Sequence, residues 1–348
     1  MSAQRFCVIM VGIGLIVAAA VALGYGQMPA PAIAASMLRT TLQVATPLTL
    51  GALAALYCER AGVINIGIEG MMLLAAFGGF VAALGAHHLL GPTGVGASLA
   101  VGVVAAVLCG GLAGTFHALL CVTFRVDQII SGIVVNVLAV GLTGYLSRQL
   151  FFQTSAPVTP GVLPTLRLPL LDDLPAVGAV LEQQPIALAA LGLVALTHSV
   201  LFHTVWGLRA RAVGEHPRAA DAAGIDVART RYANVIVGGM VAGLGGAYFT
   251  LESVPTFEPL MTNGRGFIAL AAMIFGGWTP VGAWAASLLF GAAQALQINA
   301  QGFGLPVPSQ FVGMLPYLLT MVALAGLIGK TRPPAADGQP YDPHGERG

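Results

Sequence analysis

Apolar runs of about 20 residues, the length that crosses a bilayer as a helix, dominate the chain, parted by short polar or Gly/Pro-rich breaks. Arg5 precedes an uncharged run from Phe6 to Gly26. Ala32 to Ala35 could be read as the cleavage region of a signal peptide, but the run exceeds the usual ~7–15 residues of such a core, so a retained first span is expected. Thr40 to Cys58 follows with Pro47 inside it, a residue tolerated where neighbours re-satisfy the freed carbonyl, and one that commonly marks a kink. Residues Gly70 to Phe124 carry no Asp, Glu, Lys or Arg and predict two crossings broken near His87 to Gly94. Arg125 and Asp127 mark the next interface, and Gln128 to Ser147 the next span. Pro185 to Leu208 spans again, as does Tyr232 to Leu251, whose GGMVAGLGG (238–246) offers a small-residue face for close helix approach. The uncharged stretch from Gly266 to Gly329 divides into a short span to about Trp278, one from Val281 to Ala300 and one from Gln310 to Gly329, stopped by Lys330 and Arg332.

The pattern predicts an all-α polytopic membrane protein of about ten transmembrane helices, one domain over residues 1–329 with both termini cytoplasmic. Arg and Lys distribution tests that topology. Eleven (residues 5, 60, 125, 209, 211, 218, 229, 231, 330, 332 and 347) fall on the proposed inside, and four (39, 148, 167 and 265) outside. Residues 149–184, with Pro157, Pro160, Pro164, Pro169 and Pro175, read as an extended external segment, and Glu252 to Arg265 as a second external connection. The tail 330–348, PPAADGQPYDPHGERG from Pro333 onward, reads as disordered. Gly94–Ala97 faintly echoes Val281–Ala283, in segments of opposite direction, as an inverted repeat would.

Composition sharpens the class. The chain is 57% hydrophobic and 8% charged, against about 25% charged in soluble domains. A net charge of +1 gives no nucleic-acid footprint. Cys7, Cys58, Cys109 and Cys121 are scattered through apolar sequence with no metal or disulfide spacing, and the seven histidines form no HExxH. No cofactor, metal or catalytic set is expected, so an embedded enzyme is disfavoured.

Two stretches hold candidate chemistry. In the first, Glu59 to Gly70, two carboxylates, an arginine and three glycines interrupt apolar sequence. Charge at mid-bilayer costs on the order of 3 kcal/mol, so this is either a polar interfacial turn or an irregular segment beside a translocation path. Asn136, near the middle of its span, is either interhelical glue or a path residue. The second, Gly207 to Arg231, carries eight of the chain's 29 charged residues. Pro217 suits a first helical position, Arg218 to Ala223 favour or tolerate helix, and Gly224 supplies a stop. The loop is either a handle for a soluble partner or an ordinary positive cytoplasmic loop.

Four blocks in order, residues 58–80 (CERAGVINIGIEGMMLLAAFGGF), 127–146, 211–251 and 263–296, resemble the permease subunits of bacterial ABC importers serving branched-chain amino acids, simple sugars and nucleosides. NIGIEGMM is most similar to the nucleoside branch, which pairs with basic-membrane-lipoprotein-type binding proteins. The resemblance covers nearly all of residues 40–329. It implies a multi-pass protein of the bacterial inner membrane that imports a nucleoside or similar neutral polar solute. ATP is then hydrolysed by separate cytoplasmic subunits, and the chain itself has no GxxxxGK[ST].

The resemblance also implies a coupling helix at Pro217 to Gly224, with Glu215, Pro217, Arg218, Asp221 and Gly224 as its contact residues. An extracytoplasmic solute-binding protein docks outside, and a second permease, expected to differ from this one, completes the path. Asn65, Glu69, Gln128, Ser131 and Asn136 are the expected path residues, with Asn263 as an outer contact. Simple sugars or branched-chain amino acids are the alternative solutes. An ion-coupled secondary transporter would need intramembrane carboxylates, for which Glu69 is the serious candidate.

Overall fold

The computed structural model describes residues 11–14, 16, 30–151, 159–166, 182–300, 313–314 and 332–342. Helix α1 runs Ala30–Arg60, α2 Ile68–Leu90 and α3 Val95–Ala118, which continues as a π-helical turn, Leu119–Thr123. Next come α4 (Gln128–Phe151), α5 (Pro185–His203), α6 (Val205–Glu215) and α7 (Pro217–Ala222). Then follow α8 (Val227–Tyr248, with a π-helical turn Phe249–Ser253), α9 (Arg265–Phe275) and α10 (Pro280–Ala300). Among the described residues the only β pairing is an isolated bridge between Leu166 and Gln183.

Among the described residues, seven helices, α1 to α5, α8 and α10, are long and apolar enough to cross a membrane. They fall on seven of the ten expected spans. The expected spans 6–26 and 310–329, and most of the external segment 149–184, lie outside the described residues. The expected short span over 266–278 is an 11-residue helix, α9. At 1.5 Å per residue it is about 16 Å long, half the hydrocarbon thickness.

Helices α1 and α8 form the centre, with 83% and 78% of their apolar windows buried, against 33% for α3 and 28% for α4, which turn a face outward. The small-residue face of α8 makes this possible. A Cβ on Gly114 of α3 would lie 2.8 Å from the Val235 carbonyl oxygen and 3.1 Å from Gly239 Cα, and one on Gly110 would lie 2.6 Å from Gly243 Cα. On other faces of α8, Gly238 meets Ala54 and Cys58 of α1, and Gly246 meets Ala75 of α2. Three helices thus approach one at backbone distance, the role small residues have in membrane bundles, where dispersion replaces hydrophobic exclusion. Pro47 sits inside α1 without ending it.

Two buried carboxylates fasten helix ends. Glu252, in the π-helical turn after α8, accepts from the N–H groups of Ile186 (2.7 Å) and Ala187 (3.1 Å) at the start of α5. Glu59 accepts from the Trp278 indole Nε1 at 2.6 Å, while Arg60 Nε donates to the Trp278 carbonyl at 2.9 Å. The C-terminal end of α1 therefore holds the turn after α9.

Candidate functional site

The segment between α1 and α2 is irregular for local reasons. Gly62, at φ 79°, leaves α1 in the left-handed region that favours glycine. Residues 63–67 then lie along α4, and their backbone groups find side-chain partners there. Ile64 N–H donates to Gln128 Oε1 (2.6 Å), Asn136 Nδ2 donates to the Ile66 carbonyl (3.0 Å), and Gly70 N–H donates to Asn136 Oδ1 (2.7 Å). A Cβ on Gly132 would lie 2.8 Å from Gly67 N, so the two backbones touch. Gln128 and Asn136 are eight residues apart on one helix, which is about 12 Å along its axis. The segment thus runs along α4 from its first residue to Asn136, and α2 starts there. The stretch from Glu59 to Gly70 is therefore an irregular segment held along α4.

Glu69, in the first turn of α2, meets the start of α9. Gly264 N–H donates to Glu69 Oε1 at 2.8 Å and Gly266 N–H to Oε2 at 2.6 Å. Two helix N-termini, its own and that of α9, converge on this carboxylate, which suits a negative charge. Asn263 (φ 46°) and Gly264 (φ 77°) are both left-handed, which turns the chain so that both N–H groups face Glu69. Beside them lies a cavity of about 430 Å³ lined by Glu69, Asn136, Val137, Val140, Thr262 and Asn263, among others. Among its lining residues there is no Lys, Arg or His.

Glu69, Asn136 and Asn263 are therefore brought together. Asn65, Gln128 and Ser131 are buried behind them. Asn65 Nδ2 sits 3.4 Å from Cys58 Sγ and 3.5 Å from Met71 Sδ. Ser131 Oγ lies 2.9 Å from His117 Nδ1, and His117 Nε2 lies 3.1 Å from the Ile64 carbonyl. A carbonyl only accepts, so Nε2 carries the proton and Nδ1 accepts from Ser131. His117 thus braces the irregular segment, a function its position in an uncharged run did not announce.

At the other end, the charged loop holds two helices. Thr204 caps α6, its Oγ1 accepting from Gly207 N–H at 3.2 Å. Pro217 opens α7 as expected, and Gly224 (φ 80°) follows its end. Asp226 caps α8 by accepting from Arg229 N–H at 2.9 Å. Val213, Ala220 and Val227 pack together beneath α7. Glu215, Arg218, Asp221 and Gly224 are exposed, with Pro217 half-buried. Arg231 departs from the loop pattern: its side chain is buried, and Nη1 donates to the Gln339 carbonyl at 2.9 Å.

A family model described as the permease component of branched-chain amino acid transport systems matches residues 37–324. The chain belongs to this permease family. The permease is 38% identical over 305 residues to the guanosine ABC transporter permease protein NupQ of Bacillus subtilis, covering 86% of this chain and 94% of that one. It is 37% identical to the nucleoside ABC transporter permease protein NupC of Lactococcus lactis subsp. cremoris, covering 85% and 93%. It is 34% identical to the putative glucose ABC transporter permease protein TsgC13 of Haloferax volcanii, covering 86% and 93%. No solved structure matches the permease. The family and the seven apolar helices make it a multi-pass membrane transport subunit.

Proposed function

We propose that the permease moves nucleosides inward through the cavity beside Glu69, driven by ATP that separate cytoplasmic subunits hydrolyse. The observation that carries the solute class is the likeness, over more than nine-tenths of their lengths, to relatives named for guanosine and nucleoside transport. The cavity chemistry supports it. Asn136, Thr262 and Asn263 supply amide and hydroxyl groups without a free cation, which suits a neutral solute with hydroxyls and ring nitrogens. An amino acid would need a counter-charge or a helix N-terminus for its carboxylate, and the N-terminus of α9 is already taken by Glu69. A sugar is the second reading, favoured by the likeness to a putative glucose permease.

The assembly follows from what the chain leaves open. Val137 and Val140 line the cavity and are also exposed, on an apolar face of α4 that includes Ile129, Ile130, Ile133 and Tyr145. A second permease, different from this one, closes the path against that face. The exposed α7, with Glu215, Pro217, Arg218, Asp221 and Gly224, is the coupling helix on which an ATP-binding subunit docks. A solute-binding protein delivers the nucleoside from outside. Ten spans with both termini cytoplasmic agree with the charge distribution and with the tail's contacts to residues 125, 214 and 231, all on the proposed inside. Residues 94–97 and 281–283 keep their reading as traces of an inverted repeat, and no cofactor is assigned to the chain.

The test is uptake of labelled adenosine, guanosine and uridine beside ribose, glucose and leucine, in cells with and without the gene. Loss of nucleoside entry alone is expected. Retained nucleoside entry with loss of sugar or leucine would overturn the solute class and leave the permease fold standing.

A further inference from the structure

Part of the tail expected to be disordered is folded against the cytoplasmic face. Residues 332–342 reach five separate pieces of the permease. Ala336 N–H donates to the Gly214 carbonyl at 2.9 Å, and Ala335 N–H to Glu215 Oε2 at 3.2 Å, both at the end of α6. Tyr341 hydroxyl donates to Asp221 Oδ2 of α7 at 2.8 Å. The Gln339 carbonyl accepts from Arg231 of α8. Asp342 pairs with Arg125, in the turn before α4, at 2.8 Å. The buried Asp337 carboxyl faces that of Glu59 at the end of α1, and Glu59 in turn holds Trp278 after α9. Ala336 is buried, and a Cβ on Gly338 would lie 2.7 Å from Ile64 Cδ1, so the segment is seated and not merely laid across the surface.

The arrangement has a direction. One end of the segment touches α7, the helix read above as the ATPase contact. Its middle touches Glu59, which fixes the inner end of α9. The outer end of α9 holds Glu69 at the cavity. We propose that residues 332–342 are a strap that positions the coupling helix and ties its movement to α9, with Tyr341 and Asp337 as its positioning residues. The proposal rests on the reading of α7 as the coupling helix. When the ATP-binding subunits pull α7, the strap moves the Glu59–Trp278 junction with it. The half-helix α9 then shifts against Glu69. Without the strap, α7 keeps its chain connections and the packing of Ala220 on Val213 and Val227, and ATP turnover is less tightly tied to solute passage.

The experiment uses the complete transporter, with its ATP-binding subunits, second permease and binding protein, reconstituted in vesicles. The readout is ATP hydrolysed per nucleoside delivered, with nucleoside KM alongside. Tyr341→Phe deletes one hydroxyl and its bond to Asp221. It is expected to raise ATP per nucleoside about threefold, the scale of one ordinary hydrogen bond, without changing the amount of assembled complex or KM. Removal of residues 332–348 is expected to raise the ratio further. If Tyr341→Phe and the truncation both leave the ratio unchanged in a complex that transports, the strap is overturned. If the parent complex shows no ATP-dependent nucleoside transport, the failure belongs to the proposed function instead.

Discussion

The carboxylate of Glu69 accepts a hydrogen bond at 2.6 Å from the backbone N–H of Gly266, which lies 197 residues further along the chain. Gly264 supplies the second bond, so one side chain closes the junction of two helix starts beside the cavity. No side chain fits in place of Gly266, because its Cβ would fall 2.6 Å from Glu69 Cα.

Glu69→Ala leaves two N–H donors facing a low-dielectric site, each costing about 1–3 kcal/mol when unpaired. Uptake is expected to fall by tenfold or more. Glu69→Gln retains one acceptor oxygen and loses the other, so its loss is smaller. Gly266→Ala, which pushes the two helices apart, should resemble Glu69→Ala. Labelled nucleoside uptake normalised to membrane-inserted protein decides it, and uptake at the parent level in all three variants would rule out the junction as part of the path.

Gly224→Pro meets a residue held at φ 80°, where proline, fixed near −65°, cannot follow. The turn between α7 and α8 is lost while the spans remain. Uptake is expected to vanish with membrane insertion intact. Exchange of the charges at exposed Arg218 and Asp221 together, Arg218→Asp with Asp221→Arg, should do the same through the ATPase contact. Co-purification of the ATP-binding subunits separates these outcomes: near-normal recovery together with normal uptake would remove α7 from the coupling role.

The short helix at Pro217 was legible because its signals are local: a proline at its start, alanines within and a glycine after it. The small-residue face of α8 was legible for the same reason. What escaped was carried by long-range pairing. Nothing in an apolar run tells that His117 holds the Ile64 carbonyl, or that Trp278 reaches Glu59. The tail reads as disordered because it lacks an apolar period. Its seat is made by Gly62, Gly214 and Arg231, each in a different part of the chain, and single residues such as Ala336 and Tyr341 fill it. Of the six expected path residues, Glu69, Asn136 and Asn263 line the cavity, although Asn65 lies in the same chain-turning stretch as Glu69. Asn65, Gln128 and Ser131 looked equivalent by polarity and differ only in which way the irregular segment faces.

The α3–α8 crossing should be the most volume-sensitive place in the bundle. A Cβ on Gly110 meets the backbone of Gly243 at 2.6 Å, and backbone cannot rotate away. Gly110→Ala is expected to cost about 1–3 kcal/mol, the range for overpacking a filled interior. Gly141, with nothing within 4 Å of its Cβ position, is the matched control on a lipid- or partner-facing surface. Thermal unfolding in detergent should show Gly110→Ala melting lower and Gly141→Ala unchanged or slightly higher, since alanine favours helix over glycine. Equal melting of both would contradict the crossing geometry.

Docking of the tail should depend on pH through Asp337. Its carboxyl, 3.8 in the free chain, is raised to about 7, chiefly by burial, with the Glu59 hydrogen bond, the Gly338 N–H and the Arg231 charge acting the other way. The groups facing it are Glu59 and Cys58 from α1 and Arg231 from α8. Burial disfavours the charged carboxylate, so between those two values the docked tail holds a proton that the free tail has released. By linkage, docking is fully favoured below about pH 4, weakens as pH rises, and has lost this contribution above about pH 7. Hydrogen exchange at the Ala336 amide, which is bonded to Gly214, reports docking directly. After correction for intrinsic exchange, protection should fall between about pH 4 and pH 7 in the parent permease and change little in Asp337→Asn, whose amide carries no charge to bury. Protection that is constant with pH in the parent, or that falls equally in both, would mean that the Asp337–Glu59 pair does not hold the tail.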